Sequence, residues 1–192
     1  KANVRIEDDL MYRHWDSWSD YSYSHIFVAP YHNGTIGAAI DIMPGERFDS
    51  PMLPWGGMEQ ICWSPDGESI AYTCKKMAGK EYSLSTNSDI YIYNANTGNT
   101  LNISQSNKGY DQDPVFSPDG SKLVWRSMER DGFEADKDRI MICDLKSGSL
   151  SDYSMGFDQS SKNFNLSTDS KSIFFISGHH GTEQIYRLDL IS

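Results

Sequence analysis

The chain has 192 residues and a net charge of −10, from 17 basic and 27 acidic residues. This acidic balance argues against non-specific binding to nucleic acids or anionic membranes, because both carry negative charge. No apolar stretch approaches the roughly 20 residues that a membrane-spanning helix needs, so we expect no membrane span. The chain begins at Lys1 rather than Met, and we expect it to be a piece of a longer protein.

A repeated unit runs along the chain. The first, partial copy is an apolar run at residues 26–29, followed by Gly34, where later copies have Gly98 and Gly148. Three copies then carry a string of the Ser-Pro-Asp-Gly type, and these strings start 53 and 50 residues apart. The strings occupy residues 63–67, 116–120 and 166–170. A repeat of this length is typical of propellers and other arrays.

Each unit indicates strands joined by tight turns. Asp-Gly between two apolar runs predicts a hairpin, because a two-residue turn needs positive φ, which these residues tolerate. The flanking runs are short and rich in Ile, Val, Tyr, Phe and Trp, as strands are. Runs that are apolar on both faces predict sheets covered on both sides.

We therefore predict an all-β fold, a β-propeller of four-stranded antiparallel blades. A closed ring at this repeat length needs roughly 300 to 400 residues, so the chain should form an incomplete ring of three to four blades. The predicted blades cover residues 1–56, 57–109, 110–156 and 157–192.

The three cysteines do not form a disulfide framework in this reading. With a two-residue turn at Asp66-Gly67, Cys62 lies opposite Ala71 on the neighbouring strand. Cys74 then falls on the other face of the sheet, because side chains alternate along a strand. We expect Cys62, Cys74 and Cys143 to be free thiols.

Common catalytic motifs are absent from the sequence. There is no Gly-x-Ser-x-Gly nucleophile elbow, no phosphate-binding glycine loop and no Cys-x-x-Cys or His-Glu-x-x-His pattern. The adjacent His179 and His180 make a poor chelate, because successive side chains of a strand diverge. The sequence therefore predicts no catalytic residue, no metal site and no cofactor in this chain.

One charged loop stands out, between the runs that end at Trp125 and begin at Ile140. It replaces a plain hairpin turn. Five carboxylates lie within ten positions: Glu129, Asp131, Glu134, Asp136 and Asp138. Its simplest interpretation is a solvated loop whose charges pair with Lys137 and Arg139. The matching loop of the preceding repeat, residues 75–88, is also long.

Several longer strings resemble one known family. They are residues 11–18 (Met-Tyr-Arg-His-Trp-Asp-Ser-Trp), 24–28, 72–76, 86–91, 110–116 and 128–132. These strings resemble the propeller of dipeptidyl peptidase V-type enzymes of the prolyl oligopeptidase family, and the resemblance covers nearly the whole chain. The resemblance implies an N-terminal propeller that caps a C-terminal α/β-hydrolase domain with a Ser, Asp and His triad. This chain lacks that domain.

The resemblance also implies a role for the charged loop. In the family, the propeller restricts entry to short peptides, and its loop residues hold the free amino terminus of the substrate. The leading candidates for that anchor here are Glu129 and Glu134, with Asp136 third. Arg130 would hold a carboxylate in place or contact the substrate backbone. Glu81 and Tyr82 of the preceding loop are the reserve.

These points give the functional hypothesis. The chain is the non-catalytic propeller part of a periplasmic or secreted serine dipeptidyl peptidase, inert in isolation. Its partners would be short peptides and the α/β-hydrolase domain of the same parent chain. Blade faces left uncovered would promote self-association. Two alternatives stay open: a non-enzymatic propeller that scaffolds protein partners, and a glycan-acting propeller, which the lack of an obvious catalytic carboxylate pair disfavours.

Overall fold

Strands dominate the computed structural model, which describes residues 2–190. Lys1, Ile191 and Ser192, at the ends of the first and last predicted blades, lie outside the described residues. Within them, the helical elements are one short α-helix, α1 (Gly79–Leu84), and one 3₁₀ turn (Met58–Gln60). The strands are β1 (Arg13–His14), β2 (Ser17–Trp18), β3 (Phe27–Val28), β4 (Tyr31–His32), β5 (Thr35–Ile36), β6 (Ile40–Asp41), β7 (Ile61–Trp63), β8 (Ser69–Cys74), β9 (Asp89–Asn94), β10 (Thr100–Asn102), β11 (Asp111–Phe116), β12 (Lys122–Ser127), β13 (Arg139–Asp144), β14 (Leu150–Asp152), β15 (Lys162–Leu166), β16 (Ser172–His179) and β17 (Thr182–Asp189).

These strands form propeller blades, as predicted. Blade 1 is the antiparallel sheet β7–β10, and blade 2 is the sheet β11–β14, each with its strands in sequential order. Blade 3 contains the three strands β15–β17. The prediction of an all-β, incomplete propeller is confirmed.

Residues before blade 1 build smaller pieces. Strand β3 pairs with β6, and the hairpin β4–β5 lies between them in sequence, while β1 pairs with β2 in a separate hairpin. The β4–β5 turn is Asn33-Gly34, and both residues have positive φ, of 47° and 82°. Such a two-residue turn follows the right-handed twist of its strands. Gly34 therefore lies in a turn, as the repeat pattern indicated.

The two Ser-Pro-Asp-Gly strings and the third string, Ser-Thr-Asp-Ser at residues 167–170, form the same turn in all three blades. In blade 2 the Ser117 hydroxyl donates to Asp119 Oδ1 at 2.6 Å and accepts from the Lys122 amide at 2.9 Å. Asp119 also accepts from the Ser121 amide at 3.0 Å. These bonds lower the pKa of Asp119 to about 2, with the Ser117 bond as the largest cause. The motif has a structural role, because its polar side-chain atoms form hydrogen bonds within the turn.

The detailed turn type differs from the prediction. Residues 65–68 form a four-residue loop in which the Gly67 amide donates to the Ser64 carbonyl at 2.9 Å, and φ is positive at Gly67 but not at Asp66. Pro65 favours this turn, because its fixed φ suits the second position of an ordinary β-turn. Blade 3 forms the same turn with Thr168 at that position. The four-residue loop is centred on the same position as the predicted two-residue turn. The predicted pairing of the two strands is therefore kept, and Cys62 lies opposite Ala71.

Apolar side chains fill the spaces between sheets. One cluster packs Ile26, Ile42 and Met43 of the N-terminal part against blade 1. A second lies between blades 1 and 2 around Trp125, and a third lies between blades 2 and 3. All three cysteines are free. Burial raises the pKa of Cys62 to about 11 and of Cys74 to about 12.

Candidate functional site

The two long loops lie at the same end of their sheets. Because neighbouring strands are antiparallel, the β7–β8 and β9–β10 turns share one end of blade 1, and the β8–β9 loop lies at the other. We call these the hairpin end and the loop end. The loop end carries residues 75–88 of blade 1, which include α1, and residues 128–138 of blade 2. The matching connection in blade 3 is only the turn at His180-Gly181.

Asp131 joins the two long loops to each other. Its Oδ1 accepts from the Ser85 hydroxyl at 2.6 Å and from the Thr86 amide at 2.8 Å. In return the Gly132 amide donates to the Thr86 hydroxyl at 2.9 Å. The Ser85 hydrogen bond is the main reason why the pKa of Asp131 is lowered. Loops of neighbouring blades therefore form one connected platform.

A buried lysine, Lys75, supports this platform. Lys75 Nζ donates to the carbonyl oxygens of Tyr82 at 2.6 Å and Ser85 at 2.5 Å, and lies 4.3 Å from the centre of the Tyr82 ring. These carbonyls end α1, where a positive charge is favourable. Burial lowers the pKa of Lys75, while the negative charges of Asp131 and Glu134 raise it in part.

Of the four predicted site residues, Asp136 and Arg130 bind each other. Arg130 Nη2 lies 2.8 Å from Asp136 Oδ1, and its Nε donates to Oδ2 at 3.2 Å. Asp136 also accepts from the backbone amides of Arg130 at 2.9 Å and Lys137 at 3.0 Å. The Arg130 guanidinium holds the pKa of Asp136 far below its usual range. Arg130 thus holds a carboxylate, which is one of its two predicted roles.

Glu129 and Glu134 are the more available carboxylates of this loop. The Glu129 side chain is 72% exposed, with Oε2 3.6 Å from Arg139 Nη1. Glu134 is exposed, and within residues 2–190 it forms no hydrogen bond or ion pair. Burial raises the pKa of Tyr110, and the negative charge of Glu134 adds to that shift. At Lys75 the same charge partly opposes the lowering of the pKa by burial. Glu134 therefore presents its carboxylate to solvent at the loop end.

The reserve candidates lie on the blade 1 loop. Glu81 is exposed in the first turn of α1. Tyr82 is half-buried, and its hydroxyl donates to the Leu53 carbonyl at 3.2 Å. Burial raises the pKa of Tyr82 to about 12. Tyr82 thus connects the platform to the segment that precedes blade 1.

That connection leads to aromatic residues that the sequence analysis did not place in the site. Trp15 and Trp55 lie 5.2 Å apart between ring centres, at an interplanar angle of 69°. They are 72% and 71% exposed. A sequence signal existed, since Trp15 lies in one of the strings that carried the family resemblance. Its contact with a residue 40 positions away was not predictable from spacing.

Blade 2 contains another group of charged side chains. Arg126 Nη2 lies 3.2 Å from Asp113 Oδ2, and Arg126 Nη1 lies 3.7 Å from the buried Asp138. Burial raises the pKa of both carboxyls, and Arg126 opposes the shift. Within the described residues, no group of three or more His, Cys, Asp or Glu side chains is arranged to hold a metal ion. The same residues contain no helix long and apolar enough to cross a membrane.

Four-stranded antiparallel sheets packed face to face define the chain as part of a β-propeller. No protein-family model matches it. Among solved structures, TolB from Acinetobacter baumannii aligns with 86% of this chain and 35% of its own, with a TM-score of 0.58 and 20% identity. At that identity the likeness shows the fold alone.

Sequence relatives are more specific. Dipeptidyl-peptidase 5 of Porphyromonas gingivalis is 45% identical over 190 residues, which are 99% of this chain and 28% of that protein. The protein of the same name from Porphyromonas endodontalis is 46% identical over 142 residues, which are 74% of this chain and 20% of the relative. The chain is therefore homologous to a propeller segment of the dipeptidyl-peptidase 5 proteins, and the family resemblance is confirmed. The chain spans much less than half the length of these relatives.

Proposed function

We propose that this chain is the non-catalytic propeller part of a serine dipeptidyl peptidase, in which it narrows access to the active site and helps to bind the amino terminus of the peptide. The observation that carries this proposal is the 45% identity to dipeptidyl-peptidase 5 over 99% of the chain. The catalytic Ser, Asp and His would lie outside these 192 residues, in an α/β-hydrolase domain. We place the protein in the periplasm or outside the cell.

The chemistry of the loop end supports the amino-terminal part of the proposal. An enzyme that releases dipeptides must measure two residues from the free amino group. Carboxylates at a fixed place can do so, because a charge-assisted hydrogen bond to an ammonium contributes about 1.5–3 kcal/mol in a sheltered site. The platform joined by Asp131 supplies that fixed place.

The contacts rank the candidate anchors. Glu134 comes first, because it is exposed and its carboxylate is not used within the described residues. Glu129 comes second, since its contact with Arg139 is long and can be shared with a ligand. Asp136 and Arg130 would hold the loop in shape, because their charges already neutralise each other.

The test is kinetic and uses the full-length protein. Glu134→Gln and Glu129→Gln should lower kcat/KM for substrates with a free amino group, and a loss of about 2 kcal/mol corresponds to roughly thirtyfold. Substrates with a blocked amino group should lose much less. Glu68→Gln, an exposed glutamate at the hairpin end, is the matched control and should retain full activity.

Two results would change the proposal. If both variants kept normal kcat/KM on free-amino substrates, the anchor would lie elsewhere, and Glu81 with Tyr82 would be tested next. If the full-length protein had no serine that reacts with a fluorophosphonate probe, the non-enzymatic scaffold would replace the peptidase. The isolated chain should not react with that probe, because it has no nucleophile elbow.

Self-association of the isolated chain is also proposed. The last blade exposes Ile185 and Phe174, and the N-terminal hairpins expose Phe27, Ile36 and Ile40. Apolar residues of this size on neighbouring strands favour association when nothing covers them. Light scattering of the isolated chain should show dimers or larger species, and a strictly monomeric particle at high concentration would oppose this.

A further inference from the structure

Two exposed tryptophans form a preformed aromatic contact at the loop end. Trp15 and Trp55 meet edge to face, 5.2 Å apart. His14 stacks on Trp15 at 5.5 Å and contacts the edge of Trp55 at 6.0 Å. Large aromatic side chains so exposed are unusual outside binding surfaces, because they bury much apolar area when a ligand covers them.

The backbone at Trp15 is held in an unfavourable conformation. Its φ is 49°, in the left-handed region that bulky residues avoid. The residue lies in the two-residue turn between β1 and β2, where glycine or asparagine would be easier to accommodate. A costly conformation that presents an aromatic ring to solvent is a feature that points to function.

A chain of contacts links the tryptophan pair to the loops that carry the candidate amino anchor. Leu53, two residues before Trp55, accepts the hydrogen bond from the Tyr82 hydroxyl at 3.2 Å. The Tyr82 carbonyl binds Lys75 at 2.6 Å, and Lys75 lies within the electrostatic reach of Asp131 and Glu134. The aromatic pair is therefore linked through Tyr82 and Lys75 to the loop that carries the candidate carboxylates.

We propose that Trp15 and Trp55 form a subsite for an apolar side chain near the amino end of the bound peptide. This inference rests on the proposed function, since it assumes a peptide held at the loop end. A peptide that places its ammonium at a carboxylate needs a neighbouring apolar surface for its side chains, and a chain advances at most about 3.6 Å per residue. The rings already contact each other, so little side-chain freedom is lost on binding.

The test is 19F NMR of the full-length protein labelled with 5-fluorotryptophan. The signals of Trp15 and Trp55 are assigned by their loss in Trp15→Phe and Trp55→Phe. Both signals should move on titration with Phe-Ala amide and stay in place with Gly-Ala amide. The signal of Trp63, half exposed at the hairpin end, is the internal control and should not respond. Trp55→Ala should weaken binding of Phe-Ala amide roughly two- to tenfold, whereas Trp63→Ala should not.

The outcomes separate this inference from the proposed function. If acetyl-Phe-Ala amide moved both signals as strongly as the free amine, the amino anchor would be wrong and the aromatic subsite would stand. If no peptide moved them, the inference would be overturned. It would also be overturned if both rings were inaccessible to a quencher in the full-length protein, because another part of the chain would then cover them. Signals that depended on protein concentration instead of peptide would show that a second copy occupies this surface.

Discussion

The two ends of the blades follow different rules. At the hairpin end, Ser64, Ser117 and Ser167 form the same set of bonds in three blades, each donating to the aspartate two positions later. At the loop end, blade 1 has a helix, blade 2 has an acidic loop and blade 3 has a short turn. The repeated sequence at the hairpin end serves the fold, because its polar side chains form their hydrogen bonds within the turns. The variable end leaves the carboxylates of Glu129 and Glu134 and the rings of Trp15 and Trp55 exposed.

The largest predicted effect concerns Asp111, which lies at the loop end but is fully buried. Its Oδ1 accepts from Trp125 Nε1 at 2.9 Å, and burial raises its pKa to about 6. The folded state therefore holds this proton more tightly than the unfolded state. The resulting stabilisation is complete below about pH 4, the unfolded pKa, and is lost as pH rises through about 6.

Asp111→Asn should remove this pH dependence. Two pKa units correspond to about 3 kcal/mol. The free energy of unfolding of the variant minus that of wild type should therefore increase by about that much from pH 4 to pH 7. Asparagine retains an oxygen to accept from Trp125. Denaturant unfolding of both proteins at the two pH values measures the difference. An equal difference at both pH values would show that Asp111 does not titrate in this range.

A second prediction examines the hairpin end directly. Ser117→Ala should lower the free energy of unfolding by about 2 kcal/mol, because it leaves the Lys122 amide without its acceptor in a partly buried turn. It should also raise the pKa of Asp119, which loses its main hydrogen bond. Ser121→Ala is the matched control, since the half-exposed Ser121 donates to the same Asp119 oxygen at 2.8 Å, and it should cost less than half as much. Urea unfolding and NMR titration of Asp119 check both effects.

The third prediction tests whether the loop end is one platform. Asp131→Ala removes the hydrogen bonds from Ser85 and Thr86 and should cost about 1 kcal/mol. Because the break is local, the Thr86 amide should exchange its hydrogen roughly fivefold faster. Asp158→Ala, an exposed aspartate on another connection, should leave this exchange rate unchanged. An unchanged rate in Asp131→Ala would mean that the two loops are held together by other contacts.

The same division explains what the sequence could predict. Strands, hairpins and the Cys62–Ala71 register follow from local rules, namely apolar runs and turn residues at a fixed spacing. The interlock of Asp131 with Ser85 and the contact of Trp15 with Trp55 depend on how separate segments meet in space. The four candidate site residues of the acidic loop were identified from the sequence. Their separation into the Arg130–Asp136 pair and the available Glu129 and Glu134 required side-chain geometry.

The smallest predicted effect is the change in stability caused by Glu134→Gln, which should stay within about 0.5 kcal/mol. The carboxylate is exposed, and its attraction to Lys75 acts through water, which weakens it. The same substitution should lower kcat/KM on free-amino substrates in the full-length protein, so a residue with almost no part in folding would have a large part in binding. Parallel urea unfolding and kinetic measurements on this variant test that separation. A loss of stability above about 1 kcal/mol would place Glu134 with Ser117, among residues whose charge or hydrogen bonds serve the fold, and the contrast between the two ends would then not hold at this position.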